Sequence, residues 1–188
     1  MELVQPIRDK KKIDDMKKIL KANNPRDYCL FVMGINSGLR ISDLLKLKIE
    51  DVVTNGKIKE RIILREQKTN KTKDFPIGTA SSKAIKEYLE IRNEYSPEEY
   101  LFKSRKGEAA ISRGHAWRVI SSAAESVGIT DSIGTHTMRK TFGYWAFKSG
   151  VDITRIQKLL NHSSPGITLA YIGITRDELD DVYLNLNL

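Results

Sequence analysis

Apolar residues recur at helical spacing along most of this chain, and clusters of turn-forming residues separate the segments. Ile13, Met16, Ile19 and Leu20 fall on one face of a first predicted helix. The Asn23-Asn24-Pro25 cluster ends that helix, because asparagine favours turns and the residue before a proline is biased away from the helical conformation. The pattern therefore predicts an amphipathic helix close to the N-terminus.

Further helices follow the same spacing and carry capping residues at their ends. Gly38 permits the left-handed turn that ends many helices, and Ser112 and Ser164 supply hydroxyls that can cap the helices behind them. Pro165 occupies a first helical position, where a missing N–H is tolerated. The remaining predicted helices are a segment through Tyr28 and Ile35, one from Ser42, and residues 81–95, 112–127, 135–149, 152 onward, 164–171 and 176–186.

The pattern changes between Lys57 and Ile77, where β-branched residues flank a polar stretch. Such side chains suit strands, and the Thr-Asn-Lys-Thr-Lys run at residues 69–73 is typical of a hairpin turn. We interpret this segment as the one small antiparallel sheet of the chain. The predicted fold class is therefore α+β, mainly α-helical.

Length and composition fit one globular domain. The 188 residues are 40% apolar and 30% charged, and no internal repeat or long linker divides them. One cysteine, Cys29, cannot form an internal disulfide, and the N-terminus has no apolar export signal. No apolar run approaches the ~18 residues that a membrane span needs. We expect a soluble cytoplasmic protein with no membrane partner.

The chain is basic, with a formal net charge of +8 and a pI near 9.5. This charge favours a polyanionic partner, and nucleic acid is the leading candidate. The net charge alone fits equally well a small protein whose charged surface only keeps it soluble. Residues 1–12 form a basic lead-in, and we interpret its lysines at residues 10–12 as solvated, or in loose contact with phosphate, rather than base-reading.

Six polar residues spread over the chain form a pattern that is more specific than any one of them. Tyr171 lies nine residues after His162 and thirty-two after Arg139. Each residue alone is weak evidence, because a helical tyrosine usually packs against neighbours, and His136 and Arg139 at i and i+3 also fit a surface pair. The set is Arg40, Lys68, His136, Arg139, His162 and Tyr171.

With these residues the chain resembles the catalytic domain of tyrosine recombinases, also called phage-type integrases, over residues 9–186. The Gly38-Leu39-Arg40-Ile41-Ser42-Asp43-Leu44-Leu45 run matches the family's first arginine motif, and the His136-x-x-Arg139 pair matches its second. The resemblance implies one catalytic domain over residues 1–188. Members carry an N-terminal core-binding domain that closes a clamp around DNA, and too little chain precedes the motif here to build one.

The resemblance also implies roles that suit the chemistry of a phosphodiester. Tyr171 would attack the phosphorus and form a covalent ester, and His136 would accept the phenol proton. Arg40 and Arg139 would bind the phosphate through paired donors, with His162 adding a contact. Because these groups meet the developing charge, the chemistry requires no metal and no cofactor.

Lys68 is the implied general acid, because an amine gives up a proton more readily than a guanidinium does. It lies in Gln67-Lys68-Thr69 at the predicted strand end, as the family's lysine does, and Lys71 and Lys73 share the hairpin. Asp43 stands where the family has an acid that braces the site, and it also fits a simple partner for a nearby cation.

DNA contacts and assembly follow from the same resemblance. Arg113, His115 and Arg118 form a basic stretch on a helix that faces the DNA groove in the family, although a solvated face fits them equally well. Lys71 and Lys73 are further candidates for DNA contact. The implied partner is double-stranded DNA bound by a homotetramer, with the last helix, residues 176–186, docked on a neighbouring subunit; the free chain could be monomeric.

The leading hypothesis is a site-specific DNA recombinase that cleaves and rejoins DNA through a 3′-phosphotyrosine intermediate. A topoisomerase IB-like enzyme would use the same chemistry and religate without exchanging partners. From another class, the chain could be a DNA-binding accessory or regulatory factor that completes no reaction. Binding alone would not require the tyrosine, both histidines and the lysine together.

Overall fold

A computed structural model of the chain describes residues 4–175, 178, 180 and 183–185. Helices dominate the mixed fold, which confirms the predicted fold class. The helices are α1 (Lys10–Asn23), α2 (Pro25–Ser37), α3 (Ile41–Leu44), α4 (Ile49–Val52), α5 (Thr79–Arg92), α6 (Arg113–Ser126), α7 (Thr137–Lys148), α8 (Ile153–Leu159) and α9 (Pro165–Ile172). The strands are β1 (Val53–Thr54), β2 (Lys57–Ile58), β3 (Arg61–Arg65) and β4 (Thr72–Pro76). None of the described helices has the length and apolar character to cross a membrane.

Helix ends follow the predicted caps closely. Ser112 caps α6, and the Ser164 hydroxyl accepts a hydrogen bond from the backbone N–H of Ile167 at the start of α9. Gly38 ends α2 in the left-handed region, with a φ of 59°. The predicted last helix, residues 176–186, lies largely outside the described residues, so its predicted docking stays a prediction.

The sheet content differs from the prediction in one respect. Among the described residues there are two two-stranded antiparallel sheets, β1–β2 and β3–β4, where one was predicted. Asn55 and Gly56 join β1 to β2 with φ values of 48° and 73°. This Asn-Gly pair adopts the positive φ angles of a tight two-residue hairpin and places Thr54 opposite Lys57. The β3–β4 hairpin matches the predicted one and pairs Ile62 with Phe75.

The main hydrophobic core surrounds α2, which contacts α1, α5, α6 and α7. Leu30, Phe31 and Met33 from α2 are almost completely buried, as are Met16 from α1 and Ile85 from α5. Burying side chains of this size contributes roughly 1.5–3 kcal/mol each. The buried side chains therefore hold α2 firmly in the core, and with it the residues that follow its C-terminal end.

A second apolar cluster joins α7, α8 and α9, with Ile156, Leu160 and Ile172 completely buried. Gly143 of α7 lies where these helices meet. A Cβ at Gly143 would lie 2.6 Å from Cγ2 of Ile172 and 3.1 Å from Cδ1 of Leu160. The missing side chain therefore lets α9 pack directly against the backbone of α7.

The lysines of the basic lead-in lie at the surface, where Lys10 and Lys11 are exposed and Lys12 is half-buried. These lysines open α1, capped by Asp9. The Lys10 Nζ lies 4.7 Å from the ring centroid of Trp145, and the Lys12 Nζ donates to the carbonyl of Gly128. Long lysine side chains can make such contacts while their ammonium groups stay in water.

Candidate active site

Five of the six residues in the predicted set contribute to one region of the fold. Arg40 follows the end of α2, His136 and Arg139 lie at the start of α7, and His162 and Tyr171 come from the loop and helix behind α8. Because α9 packs against α7 at Gly143, His162 and Tyr171 lie near the other three residues. The sequence pattern therefore corresponds to a spatial cluster.

Arg139 forms the buried base of this cluster, with 2% of its surface exposed. Its guanidinium donates to the backbone carbonyls of Gly38 and Leu160. These carbonyls belong to the end of α2 and the end of α8, so one side chain links the two segments. Burial lowers the pKa of Arg139, yet a guanidinium keeps its proton at any physiological pH. A fixed positive charge therefore lies under the cluster.

Arg40 is held by a carboxylate that the sequence analysis did not identify. Its Nη1 lies 3.0 Å from Oε2 of Glu66, whose side chain is fully buried at the end of β3. The same oxygen accepts hydrogen bonds from the Thr69 hydroxyl at 2.6 Å and the Asn161 amide at 2.8 Å. Burial opposes ionisation, but these hydrogen bonds and the Arg40 charge lower the pKa of Glu66. Glu66 therefore stays ionised and orients Arg40.

Tyr171 contacts both histidines of the set. Its hydroxyl lies 3.4 Å from Nδ1 of His136, and its ring centroid lies 4.7 Å from that of His162 in an edge-on arrangement. The buried Lys140, which the sequence analysis missed, places Nζ 5.0 Å from the phenol ring centroid. Burial raises the pKa of Tyr171, against the opposing effect of the Arg139 charge. The phenol is therefore protonated at neutral pH and requires a base.

The two histidines are both neutral at pH 7. Burial, together with the charge of Arg139, lowers the pKa of His162 to about 4, and its Nδ1 lies 3.1 Å from the Thr168 hydroxyl. Removal from water and the charge of Arg113 lower the pKa of His136. Neutral imidazole can accept a proton. His136, next to the Tyr171 hydroxyl, is thus in a suitable state and place to do so.

The hairpin lysines occupy contrasting positions. Lys68 lies exposed in the turn between β3 and β4, rather than at the end of a strand, and within the described part of the chain no hydrogen bond or ion pair holds its ammonium. Lys73 on β4 is half-buried, with Nζ 3.5 Å from the carbonyl of Ser37. Burial and the Arg139 charge lower the pKa of Lys73 to about 8. Lys73 therefore faces the cluster directly, whereas Lys68 approaches it only from the turn.

Asp43 supports the hairpin rather than an arginine. Its Oδ1 accepts a hydrogen bond from the backbone N–H of Gln67 at 3.0 Å, and its side chain is buried. This bond fixes the residue that precedes Lys68. The position agrees with a bracing role, and the partner it braces is the peptide backbone.

The predicted DNA-contacting residues lie on two surfaces. Arg113 and Arg118 of α6 and Lys71 of the hairpin are exposed. His115 is half-buried, with Nε2 3.0 Å from Nη2 of the buried Arg26. Arg113 is near enough to the cluster for its charge to affect His136. Among the residues that the structure describes, no group of histidine, cysteine or acidic side chains could hold a metal ion.

The chain is similar in sequence to known proteins. A family model described as the phage integrase family matches residues 9–178. The chain belongs to this family. A probable integrase/recombinase of Bacillus subtilis, YoeC, is 44% identical over 183 residues, which cover 97% of both chains. The tyrosine recombinase XerA of Pyrococcus horikoshii is 32% identical over 167 residues, which cover 88% of this chain and 57% of that protein.

Solved structures of recombinases share the fold of this family member. The crystal structure of XerA recombinase matches with a TM-score of 0.78 at 23% identity, covering 98% of this chain and 64% of that one. A pre-cleavage complex of XerH site-specific recombinase with its difH substrate matches with a TM-score of 0.72 at 19% identity, covering 97% and 55%. The chain thus corresponds to somewhat over half of these proteins.

Proposed function

We propose that the chain is the catalytic domain of a site-specific DNA recombinase, in which Tyr171 forms a 3′-phosphotyrosine. The observation that carries the proposal is the position of the Tyr171 hydroxyl, 3.4 Å from Nδ1 of His136 in a region whose base is the buried Arg139. A nucleophile, a base and a fixed cation from one chain are the parts that phosphoryl transfer to an enzyme side chain requires.

The proposed reaction begins with attack of the Tyr171 oxygen on the scissile phosphorus. The phenol proton passes to neutral His136, a new P–O bond forms to Tyr171, and the bond from phosphorus to the 5′ oxygen breaks. Lys68 gives a proton to that leaving oxygen, which becomes a free 5′ hydroxyl. Attack by this or another 5′ hydroxyl reverses the steps and releases Tyr171, so no external energy source is needed.

Charge stabilisation in this proposal comes from the two arginines. Negative charge on the non-bridging oxygens would be met by Arg139, which backbone carbonyls hold, and by Arg40, which Glu66 holds. Removing one preorganised donor of this kind typically costs about 3–4 kcal/mol of transition-state stabilisation. His162 adds a neutral donor at the same place.

The partner in this proposal is double-stranded DNA. XerH is described in complex with difH substrate, and a lambda integrase dimer is described bound to a core site. The exposed Arg113, Arg118 and Lys71 provide charge for phosphate contacts, and Arg113 lies near enough to the cluster for its charge to affect His136. We further propose that four subunits assemble on two duplexes and that residues 176–186 dock each subunit on its neighbour. The proposed location is the cytoplasm, together with the DNA.

A covalent trapping experiment tests the proposal. Genomic fragments enriched by binding to the protein would be rebuilt as suicide duplexes, nicked so that the fragment behind the leaving 5′ end diffuses away. We expect a protein–DNA adduct that mass spectrometry locates on the Tyr171 peptide. Tyr171→Phe should give no adduct, and the control Tyr95→Phe, which alters an exposed tyrosine behind α5, should give the wild-type amount.

The other outcomes are equally informative. Salt-sensitive DNA binding without an adduct on any nicked geometry would refute the enzyme and favour an accessory factor. An adduct with relaxation of supercoiled DNA, but without recombinant product on paired sites, would favour a topoisomerase-like enzyme.

A further inference from the structure

A short segment before α1 reaches across the fold to the end of the helix that carries Tyr171. The Arg8 Nη2 donates to the carbonyl of Gly173 at 2.7 Å, over a separation of 165 residues. Gly173 ends α9 in the left-handed region, with a φ of 76°, and stands two residues after Tyr171. A Cβ at Gly173 would lie 2.9 Å from Nη2 of Arg8, so the contact is close.

The Arg8 side chain projects from a firmly anchored backbone. Ile7 is buried, its N–H donates to the Thr141 hydroxyl at 2.9 Å, and its carbonyl accepts from Nε1 of Trp145 at 2.9 Å. Both partners belong to α7, the helix that begins next to His136. Arg8 therefore ties the end of α9 to the helix that supplies the rest of the cluster.

Glu178 holds the chain behind α9 in the same region. One carboxylate oxygen accepts from the Tyr144 hydroxyl at 3.1 Å, and the other accepts from the backbone N–H of Thr175 at 3.1 Å. The Arg8 guanidinium lies 5.5 Å from the centroid of the Tyr144 ring. The turn that follows Tyr171 is thus held from two sides, by one cation and one anion.

We propose that Arg8 is a positioning residue for the Tyr171 nucleophile. Helix α9 has eight residues, and its N-terminal end is already capped by Ser164. A cation at the C-terminal carbonyls also interacts favourably with the helix dipole. Without Arg8 the far end of this short helix would lose one polar link to the segment anchored on α7, in addition to the packing at Gly143 and the Glu178 bond that remain, and the phenol oxygen would leave attack geometry for part of the time. This inference rests on the proposed role of Tyr171.

Single-turnover cleavage of a suicide duplex at saturating DNA measures this effect. A small misplacement of a reacting group slows the chemical step without weakening binding, so Arg8→Ala should cleave at least about tenfold more slowly with an unchanged dissociation constant for DNA. Arg8→Lys, which keeps a cationic donor, should recover much of the rate. Lys11→Ala removes a positive charge from the same segment and should match the wild type.

Hydrogen exchange supplies a second readout that does not depend on cleavage. In Arg8→Ala the amides of Gly173 and Ile174 should exchange faster, while those of α2 and α5 keep their wild-type rates. Wild-type cleavage and exchange in Arg8→Ala would overturn the inference while leaving Tyr171 as nucleophile. If wild-type protein forms no adduct, the proposed function fails. Unchanged hydrogen exchange in Arg8→Ala would then also refute the proposed link between Arg8 and the end of α9. Lower affinity with an unchanged cleavage rate would instead make Arg8 a DNA contact and overturn its positioning role.

Discussion

Arg139 and Lys68, two cations of the same proposed reaction, stand in opposite surroundings. Arg139 is buried and donates to two backbone carbonyls, whereas Lys68 lies exposed in the turn between β3 and β4. The group proposed to meet developing charge is therefore already fixed by backbone carbonyls, and in the proposed reaction it needs no reorganisation. The proposed proton donor, by contrast, lies in an exposed turn. The comparison teaches that one site can combine a rigid, buried positive charge with a lysine on an exposed turn.

The largest expected effect comes from the buried side of this comparison. Arg139→Lys keeps the charge, but an ammonium cannot reproduce the forked donation to Gly38 and Leu160. We expect single-turnover cleavage to fall by about 10³-fold. An unpaired buried carbonyl should also lower the free energy of unfolding by about 2 kcal/mol, which urea denaturation measures.

The matched control for this substitution is Arg61→Lys, because Arg61 is an exposed arginine that pairs with Asp74 on β4. Exposed pairs contribute little, so neither cleavage nor stability should change noticeably. Near-normal cleavage by Arg139→Lys would show that Arg139 serves the fold alone and that the contrast with Lys68 has no chemical meaning.

The exposed side of the comparison predicts a smaller effect that depends on the leaving group. Lys68→Met should slow cleavage of ordinary DNA by about 10²-fold, since the 5′ oxygen then leaves without a proton. Replacing that oxygen by sulfur should restore most of the rate, because a thiolate leaves unprotonated. Cleavage of both substrates by Lys68→Met and Lys73→Met measures this.

The two lysines can be told apart by this rescue. Sulfur should rescue Lys68→Met and leave any defect of Lys73→Met unchanged. Rescue of Lys73→Met instead would assign the proton to the half-buried amine, whose pKa is lowered to about 8 by burial and the Arg139 charge. The proton donor would then belong to the inner part of the site, and the comparison drawn above would fail.

The smallest expected effect concerns Glu66, which links the two sides. Glu66→Gln removes the charge beside Arg40, and we expect about a tenfold loss of cleavage. Because the folded protein lowers the pKa of Glu66, ionised Glu66 stabilises the fold above the ordinary pKa of 4.5, and this contribution disappears as pH falls through the lower folded value. The free energy of unfolding of the wild type should therefore fall more steeply than that of Glu66→Gln as pH drops from 4.5 to the lower folded pKa. Identical profiles would contradict the pairing.

The sequence contained enough information for most of the longer helices, the β3–β4 hairpin and the set of polar residues, whereas the helix predicted through Leu47 ends at Leu44 and the four-residue α4 was not predicted. Caps such as Ser164 and Gly38 act locally, so their effect can be predicted from neighbouring residues alone. Tyr171 and Arg139 could be singled out because their motifs have fixed spacing. The assignment of functions to these residues, including Lys68, stays a prediction until the experiments above are done.

Glu66 and Asn161 could not be predicted in the same way. They are 95 residues apart, and their hydrogen bond depends on how the hairpin packs against the end of α8. Asn161 adopts a φ of 49°, which a residue other than glycine rarely takes and which asparagine tolerates best. An asparagine just before His162 was the available signal. By contrast, the Asn55-Gly56 pair was a local signal for the β1–β2 hairpin. It was missed because the predicted sheet began at Lys57, just after this pair.

At Gly143 the distance between α7 and the helix that carries Tyr171 depends on a side chain that is a single hydrogen atom. Its Cα meets Ile172, the neighbour of Tyr171, at a separation that leaves no room for a methyl group. An alanine there would act as a wedge, displacing α9 outward by a few tenths of an ångström or more, while every polar group of the site remained present. Loss of activity could thus arise from a substitution that removes no functional atom.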